Sequence, residues 1–159
     1  MKKLLTLSQR LRQGLIALCF ACAATAAAFA DSTLNEDKPF AEVHVIMQVS
    51  QADPGRHSLV LDIANNLTKH YGGQDMADIE IIAFGPGVPL LFSADNANQA
   101  RIESLMEHGV RFFVCGNTLD TIERKQGRRP QILEGVSTVQ TGVAFMLEEI
   151  DRGYTHIHP

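Results

Sequence analysis

An α/β domain built on a mainly parallel five-stranded sheet is predicted for this chain by three observations. Short apolar runs alternate along the sequence with segments whose apolar residues recur at helical spacing. Glycines close the helical segments, at Gly72-Gly73, Gly109 and Gly153. Strands that alternate with helices connect by crossovers of one hand, which makes the sheet parallel and places helices on both of its faces.

The elements follow in order. Residues 31–41 are polar, contain Pro39, and read as a flexible leader. Val43–Val49 is the first strand, interrupted by His44 and Gln48. Asp53-Pro54 has the form of a helix start, with Asp as N-cap and Pro at the first helical position. Leu59, Val60, Ile63, Ala64 and Leu67 then form an apolar stripe. Residues 79–84 are the second strand, and Gly85-Pro86-Gly87-Val88 reads as a tight turn. Residues 95–108 form a second helix with Ile102, Leu105 and Met106 inward. Residues 110–115 are the third strand, and Gly116-Asn117-Thr118-Leu119 reads as a tight turn opening a third helix. That helix runs into a basic, Gly- and Pro-containing stretch at residues 125–130. A short strand at 136–139 precedes a helix starting at Thr141, whose Val143, Met146, Leu147 and Ile150 share one face. Residues 154–158 are the last strand.

The first thirty residues have the pattern of a cleaved secretory signal. Lys2, Lys3, Arg10 and Arg12 precede an uncharged apolar run, and Ala28-Phe29-Ala30 supplies small residues ahead of Asp31. The expectation is export to the periplasm and one domain over residues 42–159. Cys19 and Cys22 fall inside the apolar run, so their Cys-x-x-Cys spacing carries no chemistry. Four of the fourteen basic residues lie in this segment, leaving ten against eighteen acids and a net charge of −8 for the remainder. Such a surface argues against nucleic acid and anionic membranes as partners.

One cysteine, Cys115, remains after cleavage. A disulfide framework would show an even number. A lone thiol in an oxidising compartment is either buried and inert or kept for its reactivity. Its place between a strand and a helix N-terminus, where backbone N–H groups and the helix dipole favour an anion, points to the reactive alternative. A free thiol ionises near pH ~8.5, so lowering that value raises the nucleophilic fraction at neutral pH. Asp120 is expected in the first turn of the following helix, where its charge would compete with a thiolate.

Several segments together carry a family pattern. They are Ala64-Asn65-Asn66-Leu67, Ala83-Phe84-Gly85-Pro86-Gly87-Val88, the run from Gly109 through Cys115-Gly116-Asn117-Thr118-Leu119, and the closing Gly153-Tyr154-Thr155-His156-Ile157-His158-Pro159. In these the chain resembles the DsrE-like family of small sulfur-relay proteins, in an exported branch. The resemblance implies a three-layer α/β/α fold and homotrimers or homohexamers. It also implies that Cys115, after the third strand, carries sulfur as a persulfide received from a sulfur-containing anion or a donor protein. No cofactor is expected.

Around Cys115, Asn117 and Thr118 are candidates to hydrogen-bond a sulfur anion or, alternatively, to cap the helix. Gly116 is expected to allow a backbone approach that a side chain would block. Gly85 and Gly87 are candidates to present N–H groups to the same ligand, since ligands of such folds sit at the carboxyl ends of the strands. Arg124, Lys125, Arg128 and Arg129 concentrate positive charge that could attract thiosulfate, sulfite or polysulfide. His156 and His158 alternate on one strand and so share a face. With Cys115 as a third ligand they would make a metal site, though two histidines alone are a weak signal. Two readings compete with sulfur relay: a non-catalytic oligomeric module that binds a small anion or a partner, and a His/Cys metal-binding protein.

Overall fold

A computed structural model describes residues 34–159. The signal-peptide reading, with Cys19 and Cys22, lies outside the described residues. Five strands, β1 (Val43–Val49), β2 (Ala77–Ala83), β3 (Arg111–Cys115), β4 (Ser137–Val139) and β5 (Thr155–Ile157), form one sheet in the order β4-β3-β2-β1-β5. Every neighbouring pair is parallel. Four helices connect them: α1 (Pro54–His70), α2 (Gln99–Glu107), α3 (Gly116–Gln126) and α4 (Gly142–Arg152). Among the described residues no helix is long and apolar enough to cross a membrane.

The strand order explains the layers. From β1 to β4 the chain steps across the sheet in one direction, so the same-handed crossovers put α1, α2 and α3 on one face. Val60, Leu61, Ala64, Ile102, Leu105 and Leu119 pack there against Val45, Met47, Ile79 and Ile81. The step from β4 back across to β5 runs the other way and carries α4 to the opposite face. There Met146, Phe145 and Ile150 meet Ile46, Ile82 and Phe113. β2, in the centre, is buried along its whole length. Period-two alternation therefore aims Ala77, Ile79 and Ile81 at the three-helix face and Asp78, Glu80 and Ile82 at the α4 face.

Two local predictions are corrected. The Gly85-Pro86-Gly87-Val88 segment is no simple turn but opens a 3-10 helix over Gly85–Leu91, whose Val88, Leu90 and Leu91 are buried in the larger core. Asp120 is the fifth residue of α3 and lies beyond its first turn, because the helix starts directly at Gly116. Residues 34–41, read as a flexible leader, are tied to the domain in the structure. Asn35 donates to Asp78 at 3.0 Å, and the Lys38 ammonium donates to the carbonyls of Ala77 and Gly109 at 2.9 and 2.6 Å.

Candidate functional site

Cys115 is the last residue of β3 and the N-cap of α3, and its residue surface is 6 % exposed. In register it faces Val139 at the end of β4. Neighbouring parallel strands end side by side, so the helix that follows each begins beside the other. Two helix N-termini therefore converge on the sulfur. The Gly142 N–H, first in α4, donates to Sγ at 3.3 Å, while the Gln140 carbonyl lies 3.8 Å from the thiol as its acceptor. A Cβ at Gly142 would sit 3.0 Å from the Cys115 Cβ and 3.3 Å from that of Phe84, so glycine permits this approach.

Burial raises the pKa of the Cys115 thiol, but hydrogen bonds outweigh it and hold the value below that of an ordinary cysteine. The Thr118 hydroxyl supplies the largest of these, followed by the N–H groups of Gly142, Thr118 and Asn117. The Asn117 N–H contributes least, its own acceptor being the Gln140 carbonyl at 3.0 Å. The Thr118 hydroxyl oxygen accepts the Gly85 N–H at 3.0 Å, which leaves its proton free to point at sulfur.

The predicted site residues take up distinct places around this thiol. Neither Asn117 nor Thr118 caps α3, which has no side-chain cap; the capping alternative is corrected. Asn117 instead donates from Nδ2 to Thr141 Oγ1 at 3.0 Å and accepts from Gln140 Nε2 at 2.7 Å. Gly116 is buried, yet a Cβ there would be in ordinary contact, 3.4 Å from Gln140 and Thr138, so its expected role in a close approach is not needed. That role belongs to Gly87, where a Cβ would fall 2.1 Å from the Val49 carbonyl oxygen. Gly85 and Gly87 lie beside the thiol through Thr118, but their N–H groups are taken, by Thr118 and by the Phe84 carbonyl at 3.1 Å. The loop braces the site rather than opening it.

Gln140, Thr141 and Gly142 escaped the sequence reading. The available signal was the strand-to-helix junction at residues 139–142, which any parallel sheet pairing β3 with β4 brings next to Cys115. Cys115 does not join His156 and His158 as a third metal ligand. β5 and β3 are separated by β1 and β2, three strand spacings or roughly 14 Å. His156 is engaged by Gln48 at 3.0 Å, and among the described residues no cluster of three His, Cys, Asp or Glu side chains could hold a metal ion. Of the basic stretch, Arg129 folds back to pair with Asp120 and, at 3.3 Å, with Glu123.

The same sheet face carries a second polar cluster at the amino ends of the strands, which the sequence reading also missed. Asp78 (0 % exposed) and Glu80 (1 %) both meet the Arg111 guanidinium, at 3.0 and 2.8 Å. Asp78 also accepts from the Tyr154 hydroxyl and from Asn35. Burial pushes the Glu80 carboxyl up to about 8; Arg111 opposes the shift, and the nearby Glu149 and Asp78 carboxylates add to it.

Comparison with known proteins gives the chain its relatives. It is 28 % identical to a protein of unknown function, MTH1491 from Methanobacterium thermoautotrophicum. The match has a TM-score of 0.65 and covers 74 % of this chain and all of that one. A second protein of unknown function, BT1422 from Bacteroides thetaiotaomicron, shares the fold at 15 % identity and a TM-score of 0.50, over 73 % of this chain and 95 % of that one. No curated protein matches. The DsrE/DsrF-like family model matches residues 41–159, nearly the whole described domain and the thiol junction with it. Sulfur relay is the function suggested at the level of that family, and this chain belongs to it.

Proposed function

We propose that this protein is a periplasmic sulfur carrier that holds sulfur as a persulfide on Cys115. One observation carries the reading: a thiol at the meeting point of two helix N-termini, with hydrogen-bond donors favouring its anion over the cost of burial. The Cys115 thiolate attacks the outer sulfur of a donor persulfide, R–S–SH. The donor S–S bond breaks, R–S⁻ leaves, and Cys115 becomes Cys–S–SH, with no net oxidation. Transfer to an acceptor thiolate reverses the step. The persulfide anion carries its charge on the outer sulfur, next to the same junction, where the two helix N-termini favour negative charge.

Export rests on the basic, apolar and small-residue pattern of residues 1–30. Self-association is supported by the α4 face, which a single helix covers, leaving Val143 and Leu147 exposed beside half-buried Phe113 and Phe145. The low exposure of Cys115 favours a second reading, a non-catalytic oligomeric module whose thiol is structural.

Intact mass spectrometry after incubation with polysulfide separates the two. Wild type is expected to gain one sulfur atom, removable by a reductant, and Cys115→Ser none. A folded wild type that takes up no sulfur and also resists iodoacetamide would establish the module instead.

A further inference from the structure

An acidic side chain, Asp120, is linked through Gln140 to a site that favours an anion. Asp120 is half-exposed on α3, five residues beyond Cys115. Its carboxylate pairs with Arg129 from the loop that follows the helix, and its second oxygen accepts from Gln140 Nε2 at 3.3 Å. Gln140 is also the residue that clamps the thiol junction. Its carbonyl faces Sγ and accepts the Asn117 N–H, and its side chain donates to Asn117. The remaining elements around the sulfur bring no charge of their own: Gly85-Pro86-Gly87 and Thr141 through Met146 are uncharged. On α3, Arg124 is engaged by Thr121 at 2.8 Å, and Glu123 shares Arg129. On β3, Arg111 lies four residues from the thiol, engaged by Asp78 and Glu80.

We propose that Arg129 is a positioning residue for the Cys115 thiol: by pairing with Asp120 it offsets a carboxylate that would compete with a thiolate or persulfide anion, and it holds in place the Asp120–Gln140 contact that borders the junction. This deepens the sulfur-carrier reading and rests on it for its purpose. The carboxylate is held below its usual range by the Arg129 hydrogen bond first and by Gln140 second, and Arg129 is the cation paired with it. Without Arg129, an unpaired negative charge five residues beyond Cys115, beside the Gln140 that borders the sulfur, penalises the thiolate by Coulomb repulsion.

The test is the rate of iodoacetamide alkylation of folded protein across a pH series, with circular dichroism confirming the fold. Arg129→Gln keeps a hydrogen-bond donor but removes the charge. It is expected to slow alkylation near neutral pH by about threefold and to move the midpoint of the profile upward. Arg129→Lys restores the charge and the wild-type profile. Arg129→Gln combined with Asp120→Asn returns the midpoint towards wild type, because the repelling charge is gone. An unmoved midpoint in Arg129→Gln overturns the proposal. So does a double variant as slow as the single one, which would make Arg129 a loop tether, or a wild-type thiol that iodoacetamide cannot reach in the folded state. Alkylation needs no sulfur donor, which keeps the two readings apart. A midpoint that responds to Arg129 in a protein that never takes up sulfur defeats the carrier reading alone. Sulfur uptake with an unmoved midpoint defeats the Arg129 proposal alone.

Discussion

The two ends of α4 hold ionisable groups on the same sheet face under opposite balances. At the N-terminal end, Cys115 loses solvent but gains donors: the Gly142 N–H, the Thr118 hydroxyl and the first N–H groups of α3. At the C-terminal end, Asp78 and Glu80 lose solvent too, and two carboxylates share one guanidinium. Asp78 takes most of what is available: burial opposes its charge, and Tyr154, Arg111 and Asn35 together outweigh burial. Glu80 is left with one contact and a second oxygen that has no partner, so burial wins and its proton stays to about pH 8. Burial pushes every group towards its neutral form. What decides the outcome is how many donors are aimed at each anion, and the carboxyl end of the sheet, where helix N-termini gather, supplies more of them.

The comparison breaks most severely at the shared cation. Arg111→Leu leaves the fully buried Asp78 carboxylate without that cation; since the Arg111 side chain is itself 39 % exposed, the loss falls at the low end of the about 3–5 kcal/mol that breaking a wholly buried pair costs. Urea unfolding at neutral pH should show a loss of that order; a loss below about 1 kcal/mol would mean that Tyr154, Asn35 and Lys38 suffice for Asp78 and that Glu80 needs no cation at all. Glu80→Gln comes next. The Glu80 carboxyl ordinarily ionises near 4.5 and does so near 8 in the folded chain, so between those values the native state binds the extra proton. Its contribution to stability is complete below the lower value and is lost as pH rises through the upper one, with a slope of up to about 1.4 kcal/mol per pH unit. The thiol works in the opposite sense: its depressed folded pKa adds stability above the unfolded value, which fades as pH falls through the folded one. Denaturation midpoints of wild type should therefore decline from pH about 5 to about 8, and Glu80→Gln should flatten that decline. An equal decline in the variant would place the titrating group elsewhere.

How much of this was legible in the sequence differs between the two ends as well. Asp53-Pro54 announced α1 correctly, and Asp53 accepts the Arg56 N–H at 2.8 Å as an N-cap should. The run at residues 111–115 placed Cys115 at a strand end, because local pattern alone defines that junction. Gly85-Pro86-Gly87 looked like a turn since its glycines and proline are turn residues. The burial of Val88, Leu90 and Leu91 that draws the segment into a 3-10 helix is a tertiary fact. Glu80 stood in an apolar strand with nothing to mark its partner: Arg111 lies thirty-one residues away and meets it only because β2 and β3 pair in the register Glu80↔Arg111. Gln140 and Gly142 were hidden for the same reason. Their link to Cys115 runs through the β3–β4 pairing, and one strand of three residues gives little periodicity from which to read it.

The subtlest test concerns a single hydroxyl. Thr118 stands between the Gly85 N–H and the sulfur, accepting from the first at 3.0 Å and donating to the second. Thr118→Val keeps the shape and branching of the side chain while removing both bonds. Losing an acceptor for a partly buried N–H costs about 1 kcal/mol, so the fold survives with a small drop in stability. The effect on the thiol is separate and larger in relative terms, because the hydroxyl is the foremost of the contacts that hold the thiolate. Alkylation of the variant should slow several-fold near neutral pH, by about three- to tenfold, and converge with wild type in alkali where both thiols are ionised. Convergence at high pH is the diagnostic part, since a variant that merely closes access to the sulfur would stay slow at every pH. A variant that matches wild type throughout would transfer the acidity of Cys115 to the two helix N-termini alone. The Gly85 loop would then brace the backbone without touching the chemistry.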